Sequence, residues 1–382
     1  MSRYDRGQTM RIYNCGPTLN DSIHFGCYRI FLMTDFIVKH FRKQGVHVEH
    51  GMNIMDIDDH IIEAKTRNPE FSTESLLEEM KKEYAYLSID YPEKITCTST
   101  HYHEMYPIIN QLLASGLAYT GDKGIYLNIN RVPDYGKISN LIPERTIAKD
   151  QAKDLSKINH YDPSLWKFEE NGCFELDYYG RKGRPGWDIQ CVSSIINQLK
   201  NPVDYHVAGF NERTHYENEE AIYGAYTQFN NSLAKKWVLV KYVLFTEESP
   251  YFYMRDYINA GYTKQEIRFI MFNSKFDKEF KLNADYIKAC RKNLKQLNEF
   301  YSGLSRLKGT AEEQSEMSAQ ISAIITEAKR KLDEINIPFA LAQLFKLIRM
   351  IHKDAQSIPS ESLREVKSFM EYLDERLLFL YH

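Results

Sequence analysis

The sequence predicts an α/β domain built on a parallel sheet, interrupted by an insertion and followed by an all-α helical bundle. MRIYN alternates apolar and polar residues like a strand, and the turn CGPTLND leads from it into the helical pattern IFLMTDFIVKHF. HVEHGMNIMDIDD then has the character of a second strand, and the helix-like IIEAKTR follows it. These observations predict a βαβ unit at the start of the chain.

The middle of the chain has a more mixed pattern, which predicts an insertion over residues 94–186. We expect a helix near residues 103–115, a hairpin in AYTGDKGIYLNI and a surface loop in IPERTIAKDQAKDLSKIN. The sheet is expected to resume with VDYHVAGF and KWVLVKYVLF as strands and THYENEEAIYGAY as the helix between them. Residues 1–93 and 187–255 would then form the α/β domain.

Residues 256–382 are expected to form the bundle, because the strand pattern ends at about residue 256. KLNADYIKACRKNLKQLNEFYSGL, MSAQISAIITEAKRKLDEI and FALAQLFKLIRMIHKDA repeat apolar residues with a period of 3.6. That period is typical of amphipathic helices in an antiparallel bundle.

Composition excludes a disordered chain and leaves a reducing, cytoplasmic location as the expectation. Hydrophobic residues make up 43% and charged residues 26% of the 382 residues, enough to bury a core. The formal charge of −3 argues against a uniformly basic surface, although a local basic patch remains compatible with it. The longest apolar run, at 237–245, is too short to span a bilayer, so no membrane partner is expected. Six dispersed cysteines favour thiols or metal ligands over disulfides.

One pair of polar residues has a spacing that suggests a metal site. His215 and Glu219 are four residues apart, so a helix would place both on one face, and two thiolates could complete a tetrahedral shell. Taken alone, Cys15, at a strand end, and Cys191, in PGWDIQC, are scattered polar residues. By spacing alone, a solvated His–Glu pair beside ordinary buried thiols is the commoner arrangement.

A series of motifs along the chain resembles the cysteinyl-tRNA synthetases, which are class I aminoacyl-tRNA synthetases. The resemblance covers nearly the whole chain from about residue 10, and it implies a Rossmann-like nucleotide-binding domain, a connective insertion and a helical bundle. The motifs that carry it, in order, are CGPTLNDSIHFGCYR, MNIMDIDDHIIEA, PDYGKIS, LWKF, GRPGWDIQC, HYENE, RDYINAGYTKQEIRFIMF and DEINIPFALAQLFKLIRMI.

The resemblance implies a Zn²⁺ ion that binds the thiol of substrate cysteine. The four family ligand positions are occupied here by Cys15, Cys191, His215 and Glu219. A thiolate suits zinc better than the hydroxyl of serine does at neutral pH. The remaining residues that the resemblance places at the substrate are Gly16, Pro17, Met55, Asp56, Trp187 and His206.

Several of these residues have ordinary structural alternatives. Trp187 could be a core residue, and His206 could be a buried histidine at a strand end. Met55 stands where the family has a threonine, which removes a hydroxyl contact. Asp56 and the two acids that follow it could instead cap the next helix.

The ATP signatures of the family are altered. Where the family has HIGH, at a helix start that favours phosphates, this chain has HFGC: His24 and Gly26 remain, but Cys27 replaces the second histidine. Cys27 could equally be a small core residue. HVAGFN stands in place of HGGG-x-D, so Gly209 and Asn211 are the nucleotide-binding candidates there. ATP with Mg²⁺ is the expected cofactor alongside zinc.

The second ATP signature, KMSKS, is absent. VLFTE, residues 243–247, stands in its place, and Glu247 and Glu248 would repel phosphate. Lys241 is the nearest candidate cation, although a lysine between strand residues is commonly just solvated.

The resemblance implies that the protein activates cysteine as an adenylate for transfer to tRNA or to a small amine. The chain ends at His382, where the bundle closes, so anticodon reading is not expected; mycothiol-type cysteine ligases, which join cysteine to an amino sugar, also lack an anticodon domain. The alternatives are a catalytically reduced paralogue that binds cysteine or a related thiol without adenylation, and a transfer protein for a different thiol or a charged tRNA end.

Overall fold

The computed structural model describes residues 9–140, 154–169, 174, 176–200, 202–307, 309–310, 316–353 and 358–381. Its contacts divide the chain into two compact units. The first unit comprises residues 1–23, 46–82 and 91–240, and the second comprises residues 24–45, 83–90 and 241–382. Most of the surface loop expected in IPERTIAKDQAKDLSKIN lies outside the described residues.

The strands and helices of the described residues alternate in the first half of the chain, whereas helices predominate after residue 245. The strands are β1 Thr9–Asn14, β2 His47–Ile54, β3 Lys94–Cys97, β4 Ala118–Thr120, β5 Gly124–Leu127, β6 Ser164–Phe168, β7 Asp177–Tyr178, β8 Arg181–Pro185, β9 Val203–Gly209, β10 Ala234–Val240, β11 Val243–Phe245 and β12 Phe280–Leu282. The helices are α1 Tyr28–Arg42, α2 Asp59–Arg67, α3 Thr73–Leu87, α4 Thr98–His101, α5 Met105–Ala114, α6 Trp187–Ser194, α7 Arg213–Tyr226, α8 Met254–Asn259, α9 Lys264–Phe272, α10 Ala284–Leu304, α11 Glu316–Asp333, α12 Ile337–Lys353 and α13 Ser360–Leu377.

The first unit is organised around a parallel sheet in the order β10-β9-β1-β2-β3. The predicted βαβ unit is confirmed, because β1 and β2 pair in parallel with α1 between them in the chain. β1 lies between β2 and β9 and has fully buried residues such as Ile12 and Tyr13. The carboxyl ends of β1 and β9 therefore meet at one edge of the sheet, the edge at which parallel α/β folds bind ligands.

The region predicted to be an insertion contains an antiparallel sheet, in the order β4-β5-β6-β8-β7, whereas its first strand, β3, pairs with β2 in the parallel sheet. The predicted hairpin is confirmed: β4 and β5 pair with Ala118 opposite Leu127. Trp166, on β6, is fully buried, as is expected of the centre of such a layer.

The second unit is mainly helical and also contains a short two-stranded sheet. The interpretation of KWVLVKYVLF as one strand was wrong, because β10 ends at Val240 and β11 pairs in parallel with β12. The chain leaves the first sheet at Lys241, whose main-chain N–H donates to the carbonyl of Phe276. The expectation of helices alone beyond residue 256 missed β12, since three residues are too few to show a periodic pattern. Helices α10 to α13 confirm the rest of the bundle.

Among the helices of the described residues, none combines the length and apolar character needed to cross a membrane. The strongest apolar stripes belong to helices of the bundle, where the stripe is buried. In α12, for example, Leu344 and Leu347 are fully buried.

A buried ion pair holds α9 to α1 within the second unit. Nη2 of Arg268 lies 2.7 Å from Oδ2 of Asp35, and both side chains are fully buried. Arg268 also donates to the carbonyls of Leu87 and Leu377, at 3.0 and 2.7 Å. Asp35 also pairs with Lys39, but Asp35 is the carboxylate partner of the buried Arg268 guanidinium, whose other hydrogen bonds go to backbone carbonyls, so the pair is costly to break.

We predict that Asp35→Ala lowers the free energy of unfolding by about 3–5 kcal/mol, because it leaves the buried guanidinium of Arg268 without its partner. Urea denaturation of the purified protein measures this. The control is Lys295→Ala, which breaks an exposed pair with Glu299 and should change stability by about 1 kcal/mol or less. Equal losses for the two variants would contradict the assigned role of the buried pair.

Candidate metal centre

Four potential metal ligands from three chain segments converge in the first unit. Cys15 directly follows β1, Cys191 lies on α6, and His215 and Glu219 lie one turn apart on α7. Their ligand atoms all lie within 4.8 Å of one another, and Cys191, His215 and Glu219 are buried. The sequence analysis proposed this set, and the structure brings all four together.

The separations between these atoms suit a tetrahedral zinc ion. With Zn–S bonds of about 2.3 Å and Zn–N and Zn–O bonds of about 2.0–2.2 Å, tetrahedral geometry sets S–S at about 3.8 Å, S–N and S–O at about 3.6 Å and N–O at about 3.4 Å. The two Sγ atoms lie 3.8 Å apart, and Nε2 of His215 lies 3.5 Å from Cys191 and 3.7 Å from Cys15. Oε1 of Glu219 lies 3.3 Å from Cys15 and 3.1 Å from Nε2 of His215. These five separations are each within about 0.3 Å of the tetrahedral values, so the donor set is close to the geometry that the ion needs.

A second layer of hydrogen bonds orients the histidine. Nδ1 of His215 lies 2.6 Å from a carboxylate oxygen of Asp188, and the amide of Asn218 donates to the other oxygen at 3.0 Å. A carboxylate on one ring nitrogen keeps the other nitrogen, Nε2, directed at the metal. The sequence analysis missed Asp188, although its position next to Trp187 at the start of α6 was a usable signal.

The electrostatics of the cluster also favour a cation. A hydrogen bond with Cys191, burial and the charge of Glu219 raise the pKa of the Cys15 thiol well above its usual range. Burial alone would lower the pKa of His215, but Glu219 and Cys191 outweigh burial and raise it. Two thiols, an imidazole and a carboxylate thus compete for protons in one desolvated space. A bound divalent cation removes that competition by deprotonating its ligands.

The CGPT loop is pressed against β2, which positions Cys15. A Cβ atom on Gly16 would lie 1.5 Å from the carbonyl oxygen of Asn53, so only glycine fits there. The amide of Gly16 donates to Oδ1 of Asn53 at 3.0 Å, and the amide of Met55 donates to the carbonyl of Pro17 at 3.1 Å. Gly16 and Pro17 therefore act through the backbone.

Trp187 and Met55 form a wall beside the cluster. The indole of Trp187 stacks on the ring of His215, with centroids 4.3 Å apart, and its N–H donates to Sδ of Met55. Trp187 is 37% exposed, so it is not a core tryptophan. Asp56, by contrast, is bonded to Ser99, whose amide donates to it at 2.9 Å.

His206 lies behind the cluster. It is fully buried on β9, it stacks on Trp237 with centroids 4.2 Å apart, and its Nε2 lies 3.1 Å from Oε2 of Glu219. His206 is thus placed to position a proposed metal ligand. Contact with a substrate stays a prediction.

The nucleotide candidates are divided between the two units. In the first unit Gly209 ends β9 and Asn211 follows it, and Nδ2 of Asn211 is buried without a hydrogen-bond partner among the described residues. His24, Gly26, Cys27 and Lys241 belong to the second unit. Lys241 lies in the connection between β10 and β11.

Glu217 and Asn218, between the two ligands of α7, tie down the PDYGKIS loop. The Glu217 carboxylate accepts from the amides of Gly136, Ile138 and Ser139 at 2.8, 3.1 and 2.8 Å. Asn218 accepts from the hydroxyl of Tyr135 at 2.5 Å. The sequence analysis assigned no role to either residue, since nothing in HYENE reveals the partner of a buried carboxylate.

Comparisons with known proteins agree with this geometry. Residues 2–292 match the family model described as the class I (C) tRNA synthetase catalytic domain. The chain is similar to the cysteine--tRNA ligase of Solibacter usitatus, with 28% identity over 91% of this chain and 77% of the relative. It is also similar to the cysteine--tRNA ligase of Chlamydia muridarum, with 29% identity over 93% of this chain and 79% of the relative.

Among solved structures, the chain resembles Mycobacterium tuberculosis methionyl-tRNA synthetase in complex with methionyl-adenylate. The TM-score is 0.69 at 10% identity, and the match covers 97% of this chain and 91% of that one. A leucyl-tRNA synthetase of Agrobacterium radiobacter, solved in a ternary complex, gives a TM-score of 0.70 at 9% identity. That match covers 99% of this chain and 85% of the other. These likenesses establish a class I synthetase fold.

We predict one zinc ion per chain, and loss of that zinc in Cys191→Ala, because the variant removes one of two sulfur ligands. Asp188→Asn should weaken zinc affinity by about 10- to 100-fold, the usual effect of losing an outer partner of a ligating histidine. Metal analysis after dialysis against graded chelator concentrations measures both. Cys97→Ala, which removes a thiol outside the cluster in the same unit, is the matched control; zinc loss there too would argue against the assigned ligands.

Proposed function

Because this chain belongs to the cysteinyl-tRNA synthetase family, we propose that it binds the thiol of cysteine through zinc and activates cysteine with ATP for transfer to tRNA. The observation that carries the proposal is the convergence of Cys15, Cys191, His215 and Glu219, whose ligand atoms all lie within 4.8 Å of one another. When bound, zinc supplies a site that prefers a thiolate to a hydroxyl. The relatives described above are cysteine--tRNA ligases, so tRNA is the acceptor that family membership favours.

The chain's own residues would orient the amino acid. Trp187 offers an aromatic face beside His215, and its N–H is already engaged by Met55, so the ring is held in one orientation. The thioether of Met55 also accepts from the hydroxyl of Thr18 at 3.9 Å. A rigid wall of this kind fixes the approach of a small substrate, which is how positioning contributes to rate.

Each unit has its own candidates for nucleotide contact: Gly209 and Asn211 in the first unit, and His24 and Gly26 in the second. Nδ2 of Asn211, which has no hydrogen-bond partner among the described residues, is a donor suited to a ribose or phosphate oxygen. Gly26 leaves room for the ring of His24, since a Cβ atom there would lie 3.0 Å from Nδ1. Lys241 remains the candidate cation for the phosphates.

A second candidate function, thiol binding without adenylation, is favoured by the residues at the KMSKS position. Phe245 and Thr246 stand there with two acids following, and the ring of Phe245 packs at 6.2 Å from that of His24. Losing one donor that stabilises developing charge commonly costs about 10²–10³ in rate. A chain without both lysines would then retain the thiol site and lose most of the turnover.

We predict that the zinc-loaded protein binds cysteine and does not measurably bind serine, because the proposed metal discriminates between thiolate and hydroxyl. Isothermal titration with each amino acid measures this. Cys191→Ala should abolish cysteine binding, and Cys97→Ala should preserve it. Cysteamine and homocysteine test whether the site reads the carboxylate and the chain length. Equal affinity for serine and cysteine would reject the zinc–thiol contact.

Cysteine-dependent exchange of pyrophosphate into ATP distinguishes the two candidates. Thr246→Lys restores the second lysine of the signature and should raise exchange by about 10²–10³-fold if adenylation survives. Ser302→Lys, an exposed position on α10 of the same unit, is the control for added charge. Exchange that is absent before and after the substitution, in protein that binds cysteine, would reject adenylation and leave thiol binding as the function.

A further inference from the structure

A thiol and an imidazole meet at the start of the first helix of the second unit. Nε2 of His24 lies 3.0 Å from Sγ of Cys27, and the amide of Cys27 donates to the carbonyl of His24 at 3.0 Å. Both residues are half-buried, so the pair remains accessible to small molecules. Direct contact between a thiol and a histidine is the arrangement that activates cysteine nucleophiles.

The surrounding residues hold the imidazole in this position. The rings of Phe252 and Phe245 lie 5.3 and 6.2 Å from that of His24, and the amide of Phe25 donates to the carbonyl of Phe252 at 2.8 Å. Gly26 presents no Cβ to the ring, which would otherwise meet it at 3.0 Å. The imidazole is thus clamped between aromatic faces and a glycine, with Nε2 directed at the thiol.

The surroundings of the pair leave the imidazole unprotonated and place the thiol at a helix start. Burial lowers the pKa of His24, so the neutral ring can accept the thiol proton at physiological pH, although burial also makes it a weaker base. Nδ1 of that ring is buried and has no hydrogen-bond partner among the described residues. Cys27 immediately precedes α1, and its side chain makes no capping hydrogen bond. The positive end of a 15-residue helix stabilises a thiolate at that position.

We infer that Cys27 is a nucleophile, activated by His24, that accepts an acyl group from an activated ester or thioester. The thiol proton passes to Nε2 of His24 while Sγ bonds to the acyl carbon. The bond from that carbon to the leaving oxygen or sulfur then breaks, and the leaving group departs with the electron pair and takes the proton from His24. The product is a thioester on Cys27, formed without oxidant, metal or nucleotide. This activity is separate from the proposed zinc–thiol contact.

Cys97 provides an internal comparison. It is also half-buried, but burial and the neighbouring Asp56 raise the pKa of its thiol, and the structure gives it no contact between Sγ and a histidine ring among the described residues. A reactivity that follows exposure alone would modify Cys27 and Cys97 alike. A reactivity that follows the thiol–imidazole pair would select Cys27.

The test treats the zinc-loaded, full-length protein with p-nitrophenyl acetate at neutral pH. Release of p-nitrophenolate gives the rate, and peptide mass spectrometry locates the acetyl group. We expect acetylation at Cys27, its loss in Cys27→Ser, and an unchanged rate in Cys97→Ser. His24→Gln should slow acetylation by about 10²-fold or more, as expected for loss of a general base.

Gly26→Ala keeps both reacting side chains and displaces the ring, so it tests the geometry independently. We expect slower acetylation and a pH profile shifted towards that of an ordinary cysteine, with a thermal unfolding midpoint that shows the variant to be folded. Acetyl groups distributed equally over Cys27 and Cys97, or a rate insensitive to both His24→Gln and Gly26→Ala in folded protein, would overturn the inference.

Discussion

The convergence of two thiols, an imidazole and a carboxylate is the constraint on which the first unit depends. Cys15 comes from the end of a central strand, while His215 and Glu219 come from a helix some 200 residues later. Their meeting requires β9 to pair beside β1, because the loops that follow these neighbouring parallel strands open at the same edge. Burying such groups together is unfavourable unless a cation or shared protons compensate their charges. The sheet order and the donor chemistry therefore both support a candidate metal centre at this edge.

This constraint extends outward through α7. Its two ligand positions enclose Glu217 and Asn218, which hold the 134–139 loop, and Asn218 also bonds to Asp188 behind His215. Helix α7 therefore carries two of the four donors, helps to orient His215 through Asn218 and Asp188, and holds the 134–139 loop. A substitution in that loop would change the position of the ligands on α7 through these hydrogen bonds, without replacing a ligand.

Local patterns in the sequence predicted the fold class, since period-3.6 and alternating stripes are properties of neighbouring residues. The spacing of His215 and Glu219 gave a shared helix face, but only the resemblance joined that face to two distant cysteines. Contacts between distant segments were missed: Asp188 behind His215, His206 behind Glu219, and the break at Lys241, where the chain leaves one sheet for another. Each of these contacts depends on tertiary packing, which the pattern of neighbouring residues in the sequence does not reveal.

The intact donor set and the altered ATP signatures constrain different steps. All four donors belong to the first unit, whereas HFGC and VLFTE belong to the second. In the proposed function, thiol affinity would be set by the ligands and their outer partners, and all four ligand positions are filled. Adenylation depends on charge stabilisation at phosphate, where each missing donor acts multiplicatively on rate. On that proposal, changes at the ATP signatures would lower turnover by orders of magnitude while selection of the thiol persists, and a thiol–imidazole pair stands at the HIGH position, where Cys27 replaces the second histidine.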